Sequence, residues 1–111
     1  MKLEDLRKQI DEIDDRLLRD FTDRMAAVER ISAAKREAGR PVLDPDRERQ
    51  KLDDVAAKLP PELEKYGRAL WSLLFEISRS RQSELAGQGT EGDASRLSRE
   101  DASEPAGEEA V

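Results

Sequence analysis

The sequence predicts an all-α protein, on three observations. Apolar side chains recur three and four residues apart along most of residues 1–86, the period of a helix face. Chain breakers stand where those runs end: Gly39 with Pro41, Pro60 with Pro61, and Gly87. No segment alternates in the manner of a strand, and there is no internal repeat.

The first run, Leu3, Leu6, Ile10, Ile13, Leu17, Phe21, Met25, Val28 and Ile31, continues without Gly or Pro from Leu3 to Ala38 and predicts one long helix. Gly39 and Pro41 stop it. A second helix is expected to open at Asp44-Pro45, an N-cap followed by proline at the first helical position. It continues through Leu52, Val55 and Leu59 until Pro60-Pro61. The third is expected over about Glu62 to Leu85, with Leu63, Tyr66, Leu70, Leu74 and Ile77 on one side and Trp71 and Phe75 broadening that face.

At 1.5 Å per residue the first helix is about 54 Å long, against about 24 and 36 Å for the others. Neither can cover it end to end. A stripe of that length must be buried, and about 86 residues build little core of their own, so a second copy packed antiparallel along it is the natural solution. The expected architecture is a three-helix protomer in an intertwined homodimer.

Composition narrows the chemistry. The 111 residues contain no Cys and no His, which excludes disulfides, thiolate zinc sites, Cys or Ser-His nucleophiles and histidine acid–base catalysis. No metal site is expected. An enzyme built from this chain works with Arg, Lys, carboxylates and amides. No apolar run approaches the roughly 20 residues of a membrane span, and Met1 to Arg7 lack the apolar stretch of a secretory signal, so a soluble, cytoplasmic protein is expected.

The net charge of -6 is unevenly distributed. Residues 87–111 hold seven acids and two Arg with almost no large apolar side chain, and are expected to form a disordered acidic tail. Residues 1–86 carry 19 acids against 18 bases without a basic stripe, so nucleic acid is not an expected partner. One domain over 1–86 and a tail over 87–111 is the predicted organisation.

Within the first helix, a 100° wheel places the apolar stripe between about 220° and 340°, and Arg24 at about 240° and Lys35 at about 260° fall inside it. Arg7, at about 340°, sits on its margin at the other end, where an antiparallel partner could bring it to the second chain's Arg24 and Lys35. Such cations can also snorkel, or set the register of a coiled coil. In the third helix Ser78 and Gln82 lie one turn apart beside Trp71, Leu74 and Leu85, either a partly solvated edge or a ligand contact. The second opens with Asp44, Arg47 and Glu48, a cap and exposed charges by the plainer reading. Taken together, inward cations, a carboxylate and two neutral hydrogen-bonding side chains from three helices describe a pocket for a small dianion, one that stabilises charge without exchanging protons.

The segments LRKQIDEIDDRLLRDFTDRM, ISAAKREAGRPVLDPDRERQKL and LFEISRSRQSEL resemble the all-helical, AroQ-type chorismate mutases, over about residues 3–86. Arg7, Arg24, Lys35, Asp44, Arg47, Glu48, Ser78 and Gln82 each fall where that family's pocket residues are expected. The resemblance implies rearrangement of chorismate to prephenate without a cofactor, in an interlocked dimer whose two pockets are each completed by the partner's first-helix arginine. It implies that Arg24 and the partner's Arg7 bind the substrate carboxylates, with Arg47 and Ser78 in support. Lys35 and Gln82 would face the ether oxygen, and Glu48, with the backbone at Asp44, the ring hydroxyl. Relatives on this scaffold include 4-amino-4-deoxychorismate mutases and isochorismate-pyruvate lyases, and some short mutases are activated by another enzyme of their pathway. From a different class, a non-catalytic helical dimerisation module would use the inward cations as register devices.

Overall fold

The computed structural model describes residues 1–87; the acidic stretch expected to be disordered lies, Gly87 apart, outside them. Among the described residues there are three α-helices and no strand: α1 (Leu3–Ala38), α2 (Pro45–Ala57) and α3 (Glu64–Leu85). The all-α class predicted from periodicity is the observed one.

The ends of α1 and α2 follow from local chemistry. Gly39 takes a left-handed φ of 67°, which glycine adopts at little cost. Its N–H donates to the Arg36 carbonyl, and that of Arg40 to the Lys35 carbonyl at 2.8 Å, so the last turn of α1 is closed. Pro41 and Val42 then lead back towards α1, and the Lys35 ammonium donates to the Val42 carbonyl at 2.7 Å, clamping the turn. Asp44 caps α2, its Oδ1 accepting the Arg47 N–H at 3.2 Å, with Pro45 at the first helical position.

Two boundaries differ from expectation. α2 ends at Ala57, and Pro61–Leu63 wind as a 3-10 turn before α3 begins at Glu64. Pro60 and Pro61 bring no N–H donors, so the entry to α3 tightens around a Leu63 N–H to Pro60 carbonyl bond of 2.9 Å.

Helix α3 is the middle element and packs on both α2 and α1. Its buried residues are Gly67, Phe75, Ser78, Ser80 and Gln82. Of the side expected to be apolar, Phe75 is buried and Trp71, Leu74 and Ile77 are partly buried, whereas Leu63, Tyr66 and Leu70 are exposed. Gly67 permits a close approach to α2. A Cβ there would stand 2.2 Å from Leu59 Cδ1 and 3.4 Å from Val55 Cγ1, so only glycine lets α3 close onto the end of α2 on that face without displacing Leu59.

Against α1 the contact is confined to the C-terminal part, where Val28 and Ser32 are buried. The rest of the stripe is open in a single chain: Leu3, Leu6, Leu17, Phe21 and Ile31 are between 40% and 61% exposed. The short helices leave it uncovered, as their lengths require.

Candidate active site

Where the second half of α1, the start of α2 and the last turns of α3 converge, they enclose a cavity of about 310 Å³. Arg24, Lys35, Asp44, Arg47, Glu48, Ser78 and Gln82 all line it, and Val28, Ile31, Val42 and Phe75 form its apolar walls. Seven of the eight residues singled out in the sequence are thus brought together. The eighth, Arg7, is exposed. It precedes Arg24 by about 25 Å along the axis of α1 and does not reach the cavity of its own chain.

Arg24 crosses from α1 to α3. Its Nη1 donates to Ser78 Oγ at 2.7 Å, and the Ser78 hydroxyl donates to the Leu74 carbonyl at 2.8 Å. Burial lowers the pKa of this guanidinium from its ordinary value, yet arginine remains charged in any assay buffer. Lys35 spends one of its three donors on Val42.

Gln82 is 5% exposed, and among the buried side-chain atoms described its Oε1 has no hydrogen-bond partner. A buried polar atom left without a partner costs about 1–3 kcal/mol, a cost that a ligand can relieve. Rotation of the terminal torsion exchanges oxygen for NH₂, so the same position can offer a donor.

Two lining cations escaped the sequence reading. Lys51 lies one turn beyond Arg47 on α2, and Arg79 belongs to α3. Arg79 Nη1 stands 2.6 Å from both oxygens of Glu48. Its place three residues before Gln82, on adjoining turns of one helix, is the signal that could have found it. Arg24, Lys35, Arg47, Lys51 and Arg79 face only two carboxylates, Asp44 and Glu48, so the cavity carries a positive excess suited to a small anion with more than one charge. Among the described residues no cluster of His, Cys, Asp or Glu could hold a metal ion.

A family model described as chorismate mutase type II matches residues 6–83, which include every residue lining the cavity. The chain belongs to the chorismate mutase type II family. A chorismate mutase from Methanocaldococcus jannaschii is 32% identical to it over 84 residues, 73% of this chain and 84% of that protein. No solved structure matches the chain significantly. For a type II chorismate mutase the composition of the cavity is coherent: charge and hydrogen-bond donors surround an apolar-walled space, and no side chain is placed as an activated nucleophile.

Proposed function

We propose that the chain is a chorismate mutase, converting chorismate to prephenate by a Claisen rearrangement on the branch to phenylalanine and tyrosine. Family membership supports this, and the observation that carries it is the cavity: five cations, two carboxylates and a buried amide whose oxygen has no partner, around one apolar-walled space. The substrate is a dianion with a ring hydroxyl and an ether oxygen, and the site offers a group for each.

Arg24, oriented by Ser78 and supported by Arg47, takes a carboxylate. Holding both carboxylates selects the compact diaxial conformer, in which the carbons that bond are already close. The rearrangement is concerted: the ether C–O bond breaks ahead of C–C bond formation, and negative charge grows on the ether oxygen. Lys35 and Gln82 donate to that oxygen and bind the transition state better than the substrate. An acceleration of about 10⁶ is worth about 8 kcal/mol, and one preorganised donor in a dry site supplies about 3–4 of it. Two donors with conformational restraint are therefore sufficient, and no cofactor is needed.

The ring hydroxyl requires an acceptor. Glu48, with the backbone at Asp44, takes that role; its carboxylate lines the cavity and keeps lone pairs for a hydroxyl while Arg79 holds it.

The working unit is a homodimer in which a second copy covers the open stripe of α1 and brings its Arg7 to the other substrate carboxylate; the exposure of Leu3, Leu6, Leu17 and Phe21 supports this. The catalytic domain is residues 1–86, acting in the cytoplasm without membrane or nucleic acid, and 87–111 is a dispensable tail. Among the described residues no helix is long and apolar enough to cross a membrane.

The test is to mix the purified protein with chorismate, follow loss of its diene absorbance and identify the product, with Arg24→Ala and Lys35→Ala as controls. Prephenate from the wild type alone is the expected result. A folded wild-type dimer that leaves chorismate untouched refutes the proposal, unless adding the enzyme that opens the same pathway restores turnover, which would make this a partner-activated mutase.

A further inference from the structure

The pair between Glu48 and Arg79 ties α2 to α3 at the wall of the cavity. One guanidinium nitrogen lies 2.6 Å from each carboxylate oxygen, and the two side chains are 23% and 34% exposed. An acceptor for a hydroxyl needs only a lone pair, which a carboxylate keeps while an arginine holds it. An acceptor for an ammonium gains most when its negative charge is not already shared. With Arg79 on Glu48, an ammonium on the ring would lie within about 5 Å of one guanidinium, in a cavity that also holds Arg24, Lys35, Arg47 and Lys51.

We propose that Arg79 is a positioning residue that sets the ring-substituent specificity of the site. By neutralising Glu48 it favours a substrate bearing a hydroxyl over the same skeleton bearing an amino group. The proposal rests on the mutase reading above, and concerns which member of that substrate class the site accepts.

The experiment compares kcat and KM for chorismate and 4-amino-4-deoxychorismate in the full-length wild type, Arg79→Lys and Arg79→Met. Arg79→Met is expected to raise the ratio of kcat/KM for the amino substrate over chorismate by about tenfold, mainly through a lower KM for the amino substrate. Arg79→Lys, which keeps the charge, should stay within about threefold of the wild-type ratio. Should Arg79→Met fail to fold, Arg79→Gln removes the charge while retaining hydrogen bonding. An unchanged ratio in the uncharged variants, an equal loss on both substrates, or failure of both to fold makes Arg79 a structural residue and overturns the inference. Wild type inactive on chorismate would instead refute the mutase reading, so the two failures are distinct.

Discussion

Arg24 and Ser78 lie 54 residues apart in the chain, and the guanidinium of one donates to the hydroxyl of the other at 2.7 Å. Ser78 is in turn anchored on the Leu74 carbonyl, so its lone pairs are fixed for Arg24. A long, flexible cation is held by a short side chain on a packed helix, which is how a binding group becomes preorganised.

Replacing Ser78 with Ala is accordingly expected to raise KM for chorismate about three- to tenfold while kcat changes less, because Arg24 is loosened and not removed. Loss of the buried hydrogen bond should cost about 1–3 kcal/mol of stability in urea unfolding. Equal KM values for the two proteins would show that Ser78 does not orient Arg24.

Gln82→Ala should lower kcat at least about 10²-fold, the usual effect of deleting one donor to a developing oxyanion. A loss of less than threefold removes Gln82 from the mechanism. Gln82 cannot titrate. Arg24, whose pKa is lowered by burial, has a folded state that binds fewer protons than the unfolded one only far on the alkaline side. Stability linked to it therefore rises with pH in that distant window and is constant across ordinary buffers. Turnover should be nearly flat from mildly acidic to mildly basic pH, and a steep loss above pH 6 in the wild type would contradict this assignment. Gln82→Glu should introduce that very loss, since only a protonated carboxyl donates.

Lys35→Leu separates enzyme from dimerisation module. If the cation serves catalysis, turnover falls at least about 10²-fold while the helical circular dichroism signal is retained. Should it serve only as a register device, the variant is as stable or more so and there is no turnover to lose. Its bond to the Val42 carbonyl also predicts a looser turn between α1 and α2, read as faster amide exchange around Val42.

Arg7 is open to a complementation test. Arg7→Ala and Arg24→Ala homodimers should each be nearly inactive, but mixed after mild unfolding they should recover up to about a quarter of wild-type activity, because half the dimers are mixed and each has one intact site. No recovery, in a mixture shown to exchange subunits, would mean that Arg7 does not act across the interface.

Much of this site was legible in the sequence. Arg24 and Lys35 stood out because a helix wheel is local geometry and two cations interrupted an apolar stripe. Asp44 was legible because capping involves neighbours in the chain. Arg79 was less so: its place three residues before Gln82 marks its side of α3, but its pairing with Glu48, 31 residues earlier, is decided only by the packing of α2 on α3.

The sequence by itself determined the three helices, the breaks at Gly39, Pro41 and Pro60, and which polar residues were out of place on apolar faces, since each depends on periodicity and on residues adjacent in the chain. The tertiary structure decided which part of the apolar side of α3 is covered. Leu63, Tyr66 and Leu70 stay exposed, while the absence of a side chain at Gly67, on the adjoining flank, lets α3 approach Leu59 and Val55 closely. The packing of α3 on α1 and α2 sets Ser78 against Arg24, Gln82 in the lining of the cavity and Arg79 against Glu48. Helix period specifies which residues share a face, whereas the part of that face that is covered depends on how closely two backbones can approach, a property of the pair of helices and not of either one.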